Sequence, residues 1–405
     1  MSNTLLTIST ITREATMVLE NNLTFAKGAN RDYDDKFAVA GAKVGDIVNA
    51  RKPPRYIGRS GQTLKIENSV ETSVPVVLST QFGVDIQFSS KDLLLNIDDF
   101  SKRFIKPAMA VVANKIDRDG LLLYQTVANC VGTGAALTDL DYFLKGKALL
   151  SDAACPQDGQ LSTVLAPWTE ASMVQGLKGL FHSSSEISSQ YETGNMGMAA
   201  GQKFSMDQNV YNHTYGAQGG SPAIDGAAVS GSSLLTKAWT AAAAVRLNKG
   251  DVFTIAGVYA VNPQTRETTN QLRRFVVTSA FSSDSSGNGS IQVYPPLTVA
   301  GAGVQQPTVA QLPADGALLT IQGTANQVVA TNLIYHPAAF TLASADLPLP
   351  GGVDMAARVS SKKVGLSVRM VRAYDIVNDI FPCRLDVLYG WTAVYPELAC
   401  RVQGL

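Results

Sequence analysis

The segment DLLLNIDDFSKRFIKPAMAVVANKIDRDGLLLYQTVA, residues 92–128, decides how the rest of the chain is read. Apolar residues recur at Leu93, Ile97, Phe100, Phe104, Ala108, Val111, Val112, Ile116 and Leu123, mostly at the gaps of three and four that mark a helix. Charged residues from Asp98 to Asp119 fall between them. Pro107 lacks an amide hydrogen and clashes with a preceding turn, yet suits the first position of a new helix. The pattern therefore predicts a short helix to about Phe104 and a long one from Pro107 to about Ala128. At 1.5 Å per residue the second would run roughly 33 Å. Gly120 inside it costs about 1 kcal/mol against alanine, so packing must hold this helix. Val112 and Ile116 are its expected core residues, facing Leu385, Val387 or Tyr389 of the C-terminal strand. Periodicity alone equally suits a core helix of an ordinary α+β domain.

Upstream, residues 41–90 read as β, with turn signals at Gly41, Gly45, Pro53-Pro54 and Gly58 to Gly61. Arg51, Lys52, Arg55, Arg59 and Lys65 follow one another with no acid between them. A solvated hairpin tip, a nucleic-acid finger and an arm over an acidic patch of another subunit all fit. Only Tyr56 accompanies the basic residues, which disfavours the finger, since single strands are held by stacking aromatics. Residues 1–40 carry helical spacing at Ile8, Ile11, Ala15, Val18 and Leu19, and either pack on their own domain or reach a neighbour.

Downstream, Tyr142–Leu150 and Ser172–Phe181 look like amphipathic helices. From Gly216 the texture changes to a Gly/Ser-rich run, then to short strands and turns as far as about Gln327. That spacing suggests a small barrel or sandwich inserted into an α+β chain. Alternation returns at Val364, Leu366 and Val368, and again at Leu385, Val387, Tyr389 and Trp391. Pro396 confines the continuation of the chain to a strand end or an edge.

Composition narrows the function classes. The chain is 45% hydrophobic and 16% charged, with 34 Gly and 17 Pro, a β-leaning globular mixture. Lys plus Arg equals Asp plus Glu at 33 each, unlike the strongly basic balance of proteins that grip nucleic acid by counterion release. No signal peptide is expected from Met1–Glu14, and no apolar run is long enough for a membrane helix. Cys130, Cys155, Cys383 and Cys400 form no Cys-x-x-Cys pair and are expected as free thiols of a reducing cytosol. Catalytic patterns are missing: no nucleophile elbow and no Walker loop. His182, His213 and His336 are far apart and lack second ligands at metal spacing, so they are expected as capped or core histidines. No catalytic residue, cofactor or metal is expected, and the protein is not expected to be an enzyme.

Four stretches together carry a family resemblance. They are Asn30-Arg-Asp-Tyr-Asp-Asp35 with Gly45-Asp46 and Arg51-Lys-Pro-Pro-Arg55; Asp99 to Ala108 running into Ala113-Asn-Lys-Ile-Asp117; Gly250 to Val261; and Arg384 to Gly390 with Tyr395-Pro-Glu397. In this order the chain resembles the major coat proteins of short-tailed double-stranded DNA phages of the P-twenty-two type. The resemblance implies an α+β Hong Kong 97 capsid fold with an inserted β-barrel. Residues 1–40 would be the N-terminal arm, 41–90 the extended loop and adjoining strands, and 91–134 the peripheral domain with its spine helix. Residues 135–221 and 331–375 would form the axial domain, 222–330 the inserted barrel, and 376–405 the C-terminal strands of the peripheral domain. The implied function is self-assembly into an icosahedral shell around the phage genome. The implied partners are other copies in pentamers and hexamers, a scaffolding protein and a portal. The shell would enclose double-stranded DNA without sequence-specific binding, involve no membrane, and assemble in the host bacterial cytoplasm before persisting as the virion capsid. Arg51, Lys52, Arg55 and Arg59 would then lie against carboxylates of a neighbouring subunit. The competing reading is a β-rich virion attachment or carbohydrate-binding module, which would need an aromatic-lined cleft; aromatics are only 7% of the chain.

Overall fold

A computed structural model describes residues 8–31, 47–52, 55–58, 61–64, 66, 72–89, 104–132, 134–177, 196–226, 229–301, 304, 306–361 and 364–404. The Pro107 segment forms the helix Lys106–Leu121, entered through a π-type turn at Phe104 and Ile105. Its 16 residues span about 24 Å, less than the periodicity suggests. Past Leu121 the backbone tightens into a 3-10 turn, Leu122–Thr126, and Val127 is extended with its N–H on Tyr124 O at 3.0 Å. Tyr124, Val127 and Ala128 are buried like the helix residues before them, but among other neighbours. Apolar spacing continues past the helix end because burial does. The short helix expected before Phe104 lies outside the described residues.

Two units divide the chain. The first comprises Met1–Arg51, Ser73–Gly120 and Phe340–Val394. Its antiparallel sheet runs Phe340–Ala345, Ile380–Ala393, Ser367–Arg372, Met355–Ser360, and Thr80–Ser89 also pairs along the long strand. That 14-residue strand organises the sheet, with Ile380 to Tyr389 matched against Ser89 to Thr80. Val112 and Ile116 are fully buried in one cluster with Met109, Leu385, Val387 and Tyr389. Polar contacts fix the helix on this cluster. Trp391 Nε1 donates to Ile116 O at 3.0 Å, and Tyr389 O–H to Asp119 Oδ2 at 2.7 Å. Asp117, buried, accepts the N–H groups of Thr24 (2.6 Å) and Ala26 (2.9 Å). Gly120 is needed for contact: a β-carbon there would sit 2.7 Å from the Phe25 ring and 2.8 Å from Trp391. The helix Ile8–Asn22 adds Ala15 and Leu19 to the same core, so it packs on its own unit.

The second unit comprises Lys52–Thr72, Leu121–Ala339 and Tyr395–Leu405. One mixed sheet runs Cys130–Val131, Ala399–Gly404, Val328–Tyr335, Ser162–Leu165, Gln202–Met206, Met198–Ala199, and Asn212–Thr214 pairs on Val328–Tyr335. The helix Asp141–Asp152 places Phe143 and Leu150 in a cluster with Ile334, Cys400 and Val402. The helix expected at Ser172–Phe181 spans Pro167–Leu177. A second, antiparallel sheet runs Leu319–Ile321, Val252–Val261, Thr268–Val277, Gly289–Leu297, Gly231–Trp239, Gly220–Ile224. Its two edges meet at an Ala223–Leu318 bridge, which nearly closes a barrel around Leu234, Phe253, Phe275 and Ile291.

Two expected groupings divide differently. Residues 331–375 do not stay together with 135–221: Val328–Tyr335 joins the mixed sheet, whereas Phe340–Arg372 supplies strands beside the helix Lys106–Leu121. The C-terminal range 376–405 also splits. Ile380–Ala393 belongs to the first unit, and Ala399–Gly404 enters the mixed sheet. The 3-10 turn Pro396–Leu398 separates them. Proline has no N–H to give to a strand ladder. Every residue from Ala399 to Gly404 is then buried, as suits an inner strand covered on both faces.

Candidate functional site

The basic run draws two of its members together. Arg51 is exposed on the strand Ile47–Lys52. Lys52 is half-buried, with Nζ 4.9 Å from the centre of the Tyr395 ring. Burial holds its pKa below the ordinary lysine value; Glu397 opposes that, and Arg55 reinforces it. Arg55, also half-buried, acts electrostatically on Tyr294, Tyr395 and Arg273. Arg59 and Lys65 lie outside the described residues. Glu397 sits on the 3-10 turn Pro396–Leu398, and its Oε1 accepts the O–H of Tyr294 at 2.6 Å. Burial first, then the Glu397 charge and that hydrogen bond, push the Tyr294 phenol up. Glu397, a carboxylate of the same chain, acts electrostatically on Lys52. Arg273 and Arg274 belong to the same surroundings and are absent from the sequence-based site. A signal for them exists: two adjacent charges, Leu272-Arg-Arg-Phe275, inside an otherwise strand-like run.

A second constellation has the shape of a catalytic triad without its access. His213 Nε2–H donates to Asp251 Oδ1 at 2.8 Å, and Nδ1 accepts the Tyr124 O–H at 3.2 Å. Asp251 Oδ2 also takes the N–H groups of Gly216 (3.0 Å) and Asn248 (2.8 Å). Arg401 Nη1 donates to Gly250 O at 2.7 Å, and Tyr215 O–H to Gln403 Oε1. Tyr124, His213 and Asp251 are 5%, 2% and 0% exposed. Burial pushes the Tyr124 phenol up, the opposite of an activated nucleophile. These groups pin the strand Asn212–Thr214 and the turn before Val252 to each other; they offer no place for a substrate.

The remaining candidates are structural too. His336 Nδ1 accepts the Ala338 N–H at 3.2 Å, so Nε2 carries the proton and faces Asp158 Oδ2 at 3.1 Å. His182 lies outside the described residues. All four cysteines are unpaired and buried, and burial pushes the Cys155 and Cys383 thiols up to about 11. Among the described residues no cluster of His, Cys, Asp or Glu is arranged to hold a metal, and no helix is long and apolar enough to cross a membrane.

Comparison with known proteins supplies the context. A family model described as "P22 coat protein - gene protein 5" matches residues 2–404. No curated protein sequence matches. Similar solved structures include "Capsid of Ralstonia phage GP4", at 9% identity and a TM-score of 0.45, covering 94% of this chain and 87% of that one. Another is "Capsid structure of the Cyanophage P-SCSP1u", at 8% identity and 0.44, covering 93% and 90%. A third, "Mycobacterium phage Che8", has 11% identity and 0.41, covering 94% and 90%. Scores at this level add no weight to the family match.

Proposed function

The chain belongs to the P22 coat protein family, is the major capsid protein of a tailed phage, and on that basis we propose how its parts serve the shell. The family is structural rather than enzymatic, and capsid proteins build shells from copies of themselves. The layout proposed is that of the Hong Kong 97 capsid fold. The helix Lys106–Leu121 and its five-stranded sheet act as the peripheral domain, and the mixed sheet with its helices as the axial domain. The nearly closed barrel of residues 220–321 acts as the inserted domain, residues 1–40 as the N-terminal arm and 41–90 as the extended loop and adjoining strands, of which Thr80–Ser89 joins the peripheral sheet. Copies associate as pentamers and hexamers, guided by a scaffolding protein and a portal in the host cytoplasm, and the shell encloses double-stranded DNA without reading its sequence.

The family match from residue 2 to residue 404 carries this reading. Physical features support it. Large apolar side chains stand in solvent on the separate chain: Trp168 at 83%, and Ile376 and Val377 at 81% and 85% on one hairpin turn. Such residues favour burial against other copies, because each buried side chain is worth about 1.5–3 kcal/mol. Zero formal charge suits a container whose DNA must leave again. Electron microscopy of the purified full chain, alone and with a scaffolding protein, tests the proposal. Closed shells of uniform size are expected; particles that stay monomeric under every assembly condition would contradict it.

A further inference from the structure

Two backbone edges are open among the described residues. Thr80–Ser89 pairs with Ile380–Ala393 on one side and with no described strand on the other. Ile47–Lys52 pairs only with Thr72–Val77, in a two-stranded ribbon. Every second residue of an edge strand points its N–H and C=O away from the sheet, a template for a further strand. A ribbon of two strands is marginal in water and gains from a third. The ribbon's other strand, Thr72–Val77, is blunted for this purpose: Pro75 lies within it, and a proline in a sheet sits where no ladder N–H is needed. Neither Ile47–Lys52 nor Thr80–Ser89 contains a proline. Within one copy these two strands do not pair with each other.

Side chains make the two edges complementary. Thr80–Ser89 carries one acid and no base, and the Asp85 side chain is 79% exposed, 3.9 Å from Arg384 Nε. Phe82, Val84 and Ile86 pack on the core of the first unit yet stay partly exposed, as suits a strand with an open edge. Ile47–Lys52 carries two bases and no acid, and its Asn49 and Arg51 are exposed. Two copies of Thr80–Ser89 match each other poorly. A full-length antiparallel register that keeps Phe82, Val84 and Ile86 on one face sets the two Asp85 residues opposite or diagonal, where like charges destabilise. Arg51 opposite Asp85 is favourable instead. We propose that in the shell the edge strand Thr80–Ser89 receives the strand Ile47–Lys52 of a neighbouring copy, main chain to main chain, with Arg51 beside Asp85. The proposal rests on the coat-protein reading for its occupant. Because the contact joins two different edges, it runs head to tail from copy to copy, the kind that can close into a ring.

Hydrogen exchange read by mass spectrometry tests this on the full chain, in monomers and in empty assembled shells. Peptides covering Thr80–Ser89 and Ile47–Lys52 are both expected to exchange about tenfold or more slowly in shells than in monomers. Arg51→Cys and Asp85→Cys copies, mixed, assembled and oxidised, are expected to yield a disulfide-linked dimer of one of each, which neither variant gives alone. Arg51→Asp and Asp85→Arg are each expected to raise the protein concentration needed for assembly, less so at high salt, and the two changes in one chain to restore it. If the variants do not assemble, the wild-type exchange pattern decides alone. Equal exchange in monomers and shells at either segment overturns the proposal, since that edge is then open in the shell or already covered by its own chain. Slowed exchange at Thr80–Ser89 alone assigns it another occupant and overturns the pairing. A dimer of Asp85→Cys with itself means that the edge pairs with its own copy, and overturns it as well. Should the wild type form no shells, the coat-protein reading fails separately. A synthetic peptide of residues 45–54 then probes the monomer: slowed exchange at Thr80–Ser89 supports the pairing, and unchanged exchange overturns it.

Discussion

The two units are held by different physics. Around Val112 and Ile116 the first unit packs helix on sheet with apolar side chains, and the buried Asp117 ties the helix to the backbone at Thr24 and Ala26. In the second unit a charged and hydrogen-bonded knot of Tyr124, His213, Asp251 and Arg401 lies in the interior. An apolar core loses stability in proportion to the volume removed. A buried polar knot behaves otherwise: removing one member strands its partners, each at the cost of an unmet group. The same protein should therefore yield gradually at one place and abruptly at the other.

The largest effect is expected for Asp251→Ala. It strands His213 Nε2–H and the N–H groups of Gly216 and Asn248, three unmet donors at about 1–3 kcal/mol each. Urea unfolding followed by circular dichroism measures it; a loss below 1 kcal/mol would mean the knot is not cooperative. Ile116→Ala comes next, at about 2–5 kcal/mol, the range for truncating a fully buried aliphatic side chain. A graded series through Ile116→Val, at about 0.5–1.5 kcal/mol, should follow volume. If valine proves as costly as alanine, the first unit is not an ordinary apolar core. Gly120→Ala adds a β-carbon against the Phe25 and Trp391 rings and is expected to cost about 1–3 kcal/mol, despite alanine's better helix propensity. A stabilised variant would show that the rings have room to move. Lys115→Ala is the smallest. It removes an i,i+4 pair to Asp119 at 2.6 Å, half in solvent, worth about 0.3–0.5 kcal/mol. A change above 1 kcal/mol would indicate a role for Lys115 that this ion pair does not explain.

What can be read in the sequence divides along the same line. The first unit is legible because a helix period and a strand alternation are local signals: Ile116 and Val112 on one side, Leu385, Val387 and Tyr389 on the other. The six-stranded, nearly closed sheet announces itself through Gly-rich turns between strands. The knot is not legible, since His213 and Asp251 stand 38 positions apart and Arg401 lies 151 positions from Gly250. Nothing in the spacing of lone polar residues foretells such a meeting. The helix end at Leu121 is hidden because apolar residues continue into the second unit with the same period. Lys52 and Arg55 stand out as part of a basic run, but Glu397 and Arg273, which complete their surroundings, come from distant strands and turns. Sequence proximity groups Ala399–Gly404 with the strand before it, and the turn at Pro396 sends it to another sheet.

The buried cysteines offer a direct test of separate cores. Cys383 belongs to the apolar cluster of the first unit, and Cys130 and Cys400 lie in the second. Pulsed labelling with a thiol reagent in low urea, read residue by residue by mass spectrometry, reports which core opens. The expected result is that Ile116→Ala exposes Cys383 ahead of Cys130 and Cys400, and that Asp251→Ala reverses the order. Simultaneous labelling of all three in both variants would contradict the account, because it would make the two units one cooperative core.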